Sequence, residues 1–377
     1  MRIPFMKAPT TGNEISIITH AINSGFHGGD GPFTKMVQEL IQSEFGIKKC
    51  LLTTSCTDAL EMIALLLKPD SRNEIIMPSY TFSSTANAFA IHGFNPVFVD
   101  VDSDTKNITI DNIRPAITKH TRAIVVVHYA GITCDMDQIM EFAELNNLIV
   151  IEDAAQAVNS LYKGRYAGSI GHLAAYSFHA SKAYSCGEGG ALLINDEQYF
   201  VRSNYLWEKG TDRSLVLSGV KNKYSWVDYG SSFLISDLLA SLLYDQLKNK
   251  DNSQKIRKRV FDIYTNTMEK YEFKYTICPE YCNSNYHAFW IEAPTAEIRN
   301  VWLSELSKNE ISAYIGYVPL HDSEMGKKIA RISGNIDITQ KAGECLIRLP
   351  FYLMEENEVR FVCEIIDSIF KNFKNKK

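Results

Sequence analysis

From residue 49 onward the chain repeats one unit: a short apolar run breaks into polar residues and then into a helical pattern. Few folds accept that rhythm. Strands are expected at residues 49–53, 74–77, 96–100, 123–127 and 148–151, and helices from 55 to 68, near 111–119 and over 136–146. Repeats of this length imply a mainly parallel sheet covered by helices on both faces, an α/β fold whose ligands bind at the C-terminal strand ends. Ser55, Phe82, His128, Asp153 and Lys182 all fall at or just past such ends, so the fold reading is also a site reading.

Two stretches carry the chemistry. In Ser177-Phe178-His179-Ala180-Ser181-Lys182-Ala183-Tyr184, Lys182 sits in a short connection between apolar runs at 173–178 and 191–194. Desolvation there lowers a lysine pKa and yields the neutral amine that attacks carbonyls. Lys182 reads either as the Schiff-base lysine for pyridoxal phosphate (PLP) or as a loop lysine whose head reaches water. In Ile149-Val150-Ile151-Glu152-Asp153, an apolar strand delivers a carboxylate at its C-terminal edge. Asp153 can keep a pyridinium nitrogen protonated, which PLP chemistry requires, or cap a helix. Taken with Lys182, the cofactor reading is the better of the two.

Other positions extend the same pattern. Thr54-Ser55-Cys56-Thr57-Asp58 turns a strand into a helix, and the helix start offers N–H groups and a dipole to a phosphate. An ordinary capped helix has the same residues. Phe82, just past a strand end, can stack on a pyridine ring or belong to the core. The glycine-rich run from Gly25 to Phe33, with Gly29 and Asp30, is an adaptable loop or a plain surface turn. His128 and Tyr129 lie near the strand ends as substrate candidates or as wall residues. Lys209 and Arg213, in a polar loop to residue 223, can meet nucleotide phosphates or water.

Ser177-Phe178-His179, Lys182 and Gly187-Glu188-Gly189-Gly190, together with Glu152-Asp153-Ala154-Ala155-Gln156, resemble the DegT-type PLP-dependent sugar-nucleotide aminotransferases. The likeness runs nearly end to end and implies the fold type I architecture of aspartate aminotransferase. Pro78-Ser79-Tyr80-Thr81-Phe82, Val127-His128-Tyr129-Ala130-Gly131, Glu208-Lys209-Gly210-Thr211 and Gly230-Ser231-Ser232 look closest to the branch that makes dTDP-4-amino-4,6-dideoxygalactose. By resemblance, Ser55, Thr57 and Ser177 hold the phosphate, Phe82 stacks, Gln156 lies near the phenolic oxygen, and Gly29 and Asp30 lie at the active-site mouth. Tyr317 and His321 belong to a loop facing the substrate. The segment with Ser231 and Ser232 reaches the neighbouring subunit's cofactor in a homodimer. Asp58 departs from the small residue usual there and must point its carboxylate away from the phosphate. Ala183 stands where asparagine is common.

The implied reaction moves an amino group from glutamate to dTDP-4-keto-6-deoxyglucose, with Lys182 as the catalytic acid and base. Its rivals are amination at C3, a GDP-linked substrate, the gluco epimer, and a regulatory protein that binds PLP without catalysis. Related dehydratases replace the lysine with histidine, and Lys182 argues against that reading.

Composition narrows the field. A formal charge of −5, from 39 basic and 44 acidic residues, gives no basic field for nucleic acid or an anionic membrane. No apolar run is long enough to span a bilayer and no secretory leader is evident, so a cytoplasmic protein is expected. Eight scattered cysteines without a CxxC read as reduced thiols, and nine histidines without HxxH spacing give no metal site. Domains are expected at 1–250, large and cofactor-binding, and 251–377, small and α+β.

Overall fold

The computed structural model describes residues 1–374. Its longer strands and those that bear on the site are β1 (Lys49–Thr53), β2 (Glu74–Pro78), β3 (Asn95–Val99), β4 (Thr121–Val127), β5 (Ile149–Asp153), β6 (Leu173–Ser177), β7 (Gly190–Ile194), β8 (Trp290–Glu292), β9 (Tyr314–Ile315), β10 (Arg331–Ile332) and β11 (Leu346–Arg348). Eight of them form one sheet in the order β1-β7-β6-β5-β4-β2-β3-β10. Only β7 runs antiparallel to its neighbours β1 and β6; the other pairs are parallel. The expected mostly parallel α/β sheet is therefore present.

Side chains along these strands alternate between two buried faces. Leu51, Ile75, Met77, Val125, Ile151 and Leu192 pack under the helix Cys56–Leu67. On the other face Leu52, Ala174, Tyr176 and Leu193 meet the helices Pro32–Phe45 and Asp237–Lys248, while Ile76, Val97, Ile124 and Val150 meet Met136–Leu145. Register then aligns the strand ends. Val127 pairs with Asp153 and Asp153 with Ala175, and Gly190 pairs with both Thr53 and Ser177.

A second core gathers Val260, Tyr264, Trp302, Ile347, Val362 and Phe370 around the sheet β8-β11-β9 and the helices Lys250–Met268, Ala296–Lys308 and Glu356–Lys374. Two pieces cross the expected division at 250. Ile3 packs into this second core, and β10, from the C-terminal third, closes the edge of the main sheet beside β3.

Local chemistry trims several expected elements. The helix expected near 111–119 is only Ile110–Ile113 with a 3-10 turn at Arg114–Ala116, since Pro115 has no N–H to give. The strand expected from 286 starts at Trp290, because Tyr286 has φ 55°, outside the β region. The long helix of 236–270 breaks at Asn249, whose Nδ2 donates to Asp245 O at 2.8 Å. The polar loop after Lys209 folds one short helix, Arg213–Leu217.

Among the described residues no helix is long and apolar enough to cross a membrane, and no three His, Cys, Asp or Glu side chains gather where they could hold a metal. All eight cysteines are free thiols, six of them buried.

Candidate active site

The aligned ends of β1, β4, β5 and β6 open into a cavity of about 400 Å³. Lys182, Asp153, Gln156, Ser177, Ser55, Thr57, Phe82 and Tyr317 line it together. Each arrives by a different local device. Asp153 ends β5 and is held there, its Oδ2 accepting from Thr85 Oγ1 at 2.7 Å and its Oδ1 from the Ala155 N–H at 3.2 Å. No helix follows, so Gln156 does not return one helical turn later as its spacing suggested. Successive turns carry it to the cavity, where it accepts from the Ala130 N–H at 2.7 Å and donates to Tyr317 Oη at 2.9 Å.

Ser55 caps the helix Cys56–Leu67 by accepting from the Asp58 N–H at 3.0 Å. The first-turn N–H groups of Cys56 and Thr57 have no partner within a helix and are directed to its N-terminal end. Gly190 is what lets β7 lie against this turn, for a Cβ there would sit 2.3 Å from the Ser55 carbonyl carbon and 2.4 Å from Cys56 N. Thr57 Oγ1 donates to Ser84 Oγ at 2.9 Å. Phe82, 58% exposed, is the large apolar ring at the mouth, with its centroid 6.2 Å from that of Tyr317.

Charge completes the arrangement. Burial lowers the Lys182 pKa below its ordinary 10.5; Arg348 adds to this, and Cys56 and Asp153 oppose it. A larger share of that amine is neutral at a given pH than for a lysine in water.

Several expected site residues lie elsewhere. Asp58 does not line the cavity: its carboxylate accepts from the hydroxyls of Thr54 and Ser55, the latter at 2.9 Å. It supports the cap and contributes nothing to the cavity wall. His128 is fully buried under the site, Nδ1 accepting from the Cys134 N–H at 3.1 Å and Nε2 at 2.8 Å from Glu152. An acceptor Nδ1 leaves Nε2–H to face Glu152, so the ring is spent on that carboxylate. Burial pushes the Glu152 carboxyl up, and His128 with the Gly168 and Gly171 N–H groups outweighs it and holds the group below the usual range. His321 is clipped to the end of β2, its Nδ1 2.8 Å from Ser79 Oγ, and is absent from the cavity wall. Tyr129 is buried and touches only a smaller neighbouring cavity of about 90 Å³.

The remaining candidates collect around Glu208. Lys209 Nζ lies 3.0 Å and Arg213 Nη1 3.2 Å from Glu208 Oε1. The Asp30 carboxyl is raised by burial against the pull of Lys35 and Arg213, and Ser232 bridges to Glu208. Ser231 is exposed, its carbonyl accepting from the Lys209 N–H at 3.0 Å. Gly29 packs against Leu234, where a Cβ would come within 2.4 Å. None of these lines the Lys182 cavity.

Arg348 and His287 are among the site residues that sequence reasoning passed over, with Thr85 and Ser181. Arg348 ends β11 and lines both cavities, and a strand-terminal Arg next to Leu349-Pro350 was the available signal. His287 lies in a stretch read only as strand.

The residues present fit a PLP molecule. A buried amine, a carboxylate fixed at a strand end, a helix start ringed by hydroxyls and an exposed ring share one volume of suitable size. Comparison with known proteins agrees. The DegT/DnrJ/EryC1/StrS aminotransferase family profile matches residues 10–367. Spore coat polysaccharide biosynthesis protein SpsC of Bacillus subtilis is 30% identical over 95% of this chain and 94% of its own. GDP-perosamine synthase of Escherichia coli O157:H7 is 27% identical over 98% and 99%. Among solved structures, Spr1654 of Streptococcus pneumoniae, described as a candidate sugar aminotransferase and solved in its PMP form, superposes over the whole of both chains with TM-score 0.91 at 25% identity. The chain belongs to the DegT/DnrJ/EryC1/StrS aminotransferase family and is an aminotransferase that works with pyridoxal phosphate.

Proposed function

We propose that the protein aminates the 4-keto group of a nucleotide-linked 6-deoxyhexose, with glutamate as donor, and that the substrate is dTDP-4-keto-6-deoxyglucose and the product its 4-amino-4,6-dideoxygalactose form. The observation that carries the reaction class is the shared cavity of Lys182, Asp153, Ser55, Thr57, Ser177 and Phe82. Bound PLP supplies the electron sink for the carbon that loses a proton. Lys182 would hold the cofactor, and its amine would move that proton, as base and then as acid. Asp153 keeps a positive ring nitrogen in place. Ser55, Thr57 and Ser177 seat the phosphate, Phe82 covers one face of the ring, and Gln156 fixes the rim through Tyr317.

The dTDP nucleotide rests on the sequence blocks alone. A GDP-linked 4-keto-6-deoxyhexose is the second reading, favoured by the similarity to a protein named GDP-perosamine synthase. We further propose a homodimer. Trp226 and Tyr229 are 79% and 74% exposed beside Ser231 and Ser232, and a second copy that covers them would bring those serines, Lys209 and Arg213 to its own Lys182 cavity. The test is an assay of the purified protein with PLP, glutamate and either nucleotide sugar, the C4 configuration being read by NMR. An axial amine from the dTDP sugar supports the reading, an equatorial one replaces the product by the gluco epimer, and amination of the GDP sugar alone replaces the nucleotide.

A further inference from the structure

Cys278 and Cys282 line neither cavity and enter no step above, yet they stand as a pair. Pro279, Glu280 and Tyr281 turn the chain between them, and the Cys282 N–H closes the turn by donating to Pro279 O at 2.9 Å. Proline early in a turn fixes φ and so favours the bend. The Cys278 thiol donates to Cys282 O at 3.0 Å, which holds its sulfur over the residue it faces. Cys282 in turn is anchored, because it opens a two-residue strand, Cys282–Asn283, paired with Leu161–Tyr162.

The two sulfurs differ in condition. Cys282 is buried, 8% exposed, and its Sγ accepts from the Thr133 N–H at 3.4 Å. Cys278 is half-buried, in a stretch where Ile277 and Glu280 are exposed. The hydrogen bond from Cys278 lowers the Cys282 thiol pKa against burial, with Thr133 and His128 adding to it, while the same bond and burial raise that of Cys278. One sulfur is thus readied as the thiolate, and the other keeps its proton. Cys50, a core filler, shows the contrast, for burial alone pushes its thiol up. A pair placed only to fill space would share that condition on both sulfurs.

We propose that Cys278 and Cys282 are a redox-active dithiol that a hydroperoxide closes to a disulfide, and that the closure loosens the anchor of Gln156. The Cys282 thiolate sulfur takes the terminal oxygen of the hydroperoxide, the O–O bond breaks, and the alcohol or water leaves with the proton that the thiol released. The Cys278 sulfur then attacks the sulfenic sulfur. The S–S bond forms, the S–O bond breaks, and hydroxide leaves as water with the Cys278 proton, so two thiols lose two electrons and one hydroperoxide gains them. The bridge draws Cys282 Sγ away from the Thr133 N–H. From Thr133 the chain runs back to Gly131, whose carbonyl accepts from Ser160 Oγ at 2.8 Å and Ser284 Oγ at 3.1 Å. Next to it Ala130, left-handed at φ 56°, donates its N–H to Gln156 Oε1 at 2.7 Å. Three residues beyond Cys282, Asn285 Nδ2 donates to Gln156 O at 3.0 Å. Both directions from Cys282 thus end on Gln156, in the wall of the Lys182 cavity. Neither half of the proposal depends on which sugar is aminated.

The holoprotein is treated with hydrogen peroxide, with glutathione oxidised in a parallel tube as the positive control, and intact and peptide masses are read. The expected product has lost two hydrogens, maps to a bridge between Cys278 and Cys282, and is reversed by dithiothreitol. Cys278→Ser stops at a sulfenic acid on Cys282, which dimedone traps, and Cys282→Ser forms no bridge. The bound cofactor's visible band is then titrated with pH. Its midpoint moves by about half a unit or more in the bridged protein, since the hydrogen bonding around the ring has changed, and returns with dithiothreitol. The double variant Cys278→Ser with Cys282→Ser keeps its own midpoint through the same treatment, which separates the pair from Cys56 in the cavity wall. Melting temperature and bound PLP serve as the folding control. A pair left reduced while glutathione is consumed, a bridge between other cysteines, or oxygen added to Cys282 of the wild type without a bridge each overturns the dithiol. A bridge that leaves the midpoint unmoved, or an equal shift in the double variant, overturns the coupling to Gln156.

Discussion

The cavity around Lys182 and the surface around Glu208 were both marked by the same kind of sequence evidence, a charged or hydroxyl residue in a motif, yet they fold to opposite conditions. At the cavity, rigid strand ends aligned by register bring Asp153, Ser177 and Ser55 to one volume. At the surface, a short helix and a loop hold Lys209, Arg213 and Ser232 to one another, with Trp226 and Tyr229 beside them in solvent. One region is assembled by the sheet. The other is the face to which we assign the second copy of the proposed homodimer, and that separates positions whose role is set by this chain's own packing from those whose proposed role needs a second copy.

The contrast is sharpest for Lys182→Ala. Turnover falls by at least about 10⁴-fold, since the same amine binds the cofactor and moves the proton, while the melting temperature does not drop, because a buried cation has been removed. Assay and calorimetry on one preparation check both halves, and retained activity would break the cavity assignment. Asp153→Asn should keep the hydrogen bond from Thr85 and lose the charge that faces the ring, reducing kcat by about 10²-fold or more. On the other region, the double change Trp226→Ala with Tyr229→Ala is expected to lower turnover by roughly tenfold and to shift the sedimentation velocity toward monomer, as truncation of exposed aromatic anchors does at interfaces. A dimer that survives unaltered would make the loop a plain surface. The smallest effect is on pH. In the apoprotein the folded Lys182 pKa is below its unfolded value, so the rate of PLP capture rises with pH and levels off below 10.5. Because Arg348 is one of the causes, Arg348→Gln moves that plateau to higher pH.

Legibility followed the same line. Strands β1 to β7 and the residues at their ends were readable because a buried parallel strand must be apolar until it stops, and the first polar residue after it is displayed at the site. Of the two readings of His128, the wall residue is the one the structure shows, for an instructive reason. It too follows an apolar strand, but Glu152, one residue before the strand-end acid on the neighbouring strand, faces the opposite side of the sheet and takes the imidazole with it. A period-2 argument applied across two strands, not along one, is needed to see that. His321 was claimed by Ser79, a contact 242 residues apart that no local pattern announces. Arg348 escaped because its strand is three residues long, too short to give a periodic signal, and because its partners, Phe5 and Tyr317, come from far along the chain. The breaks at Asn249 and Tyr286 are set by single backbone angles, to which hydrophobic periodicity is blind.

The edge strand β10 bears on how the molecule is made. During synthesis β3 emerges early and pairs on one side with β2, but the residues that cover its other side, Arg331 and Ile332, follow more than two hundred positions later. At ordinary translation speeds that interval is on the order of ten seconds or longer. Throughout it the nascent chain presents an open, largely apolar strand edge, the kind of surface that recruits other chains. Newly made protein is therefore exposed to misassembly at this edge until Arg331 and Ile332 leave the ribosome, and the two residues of β10, with Arg331 Nη2 3.0 Å from Glu74 Oε2, act as the closing stitch that ends the exposure.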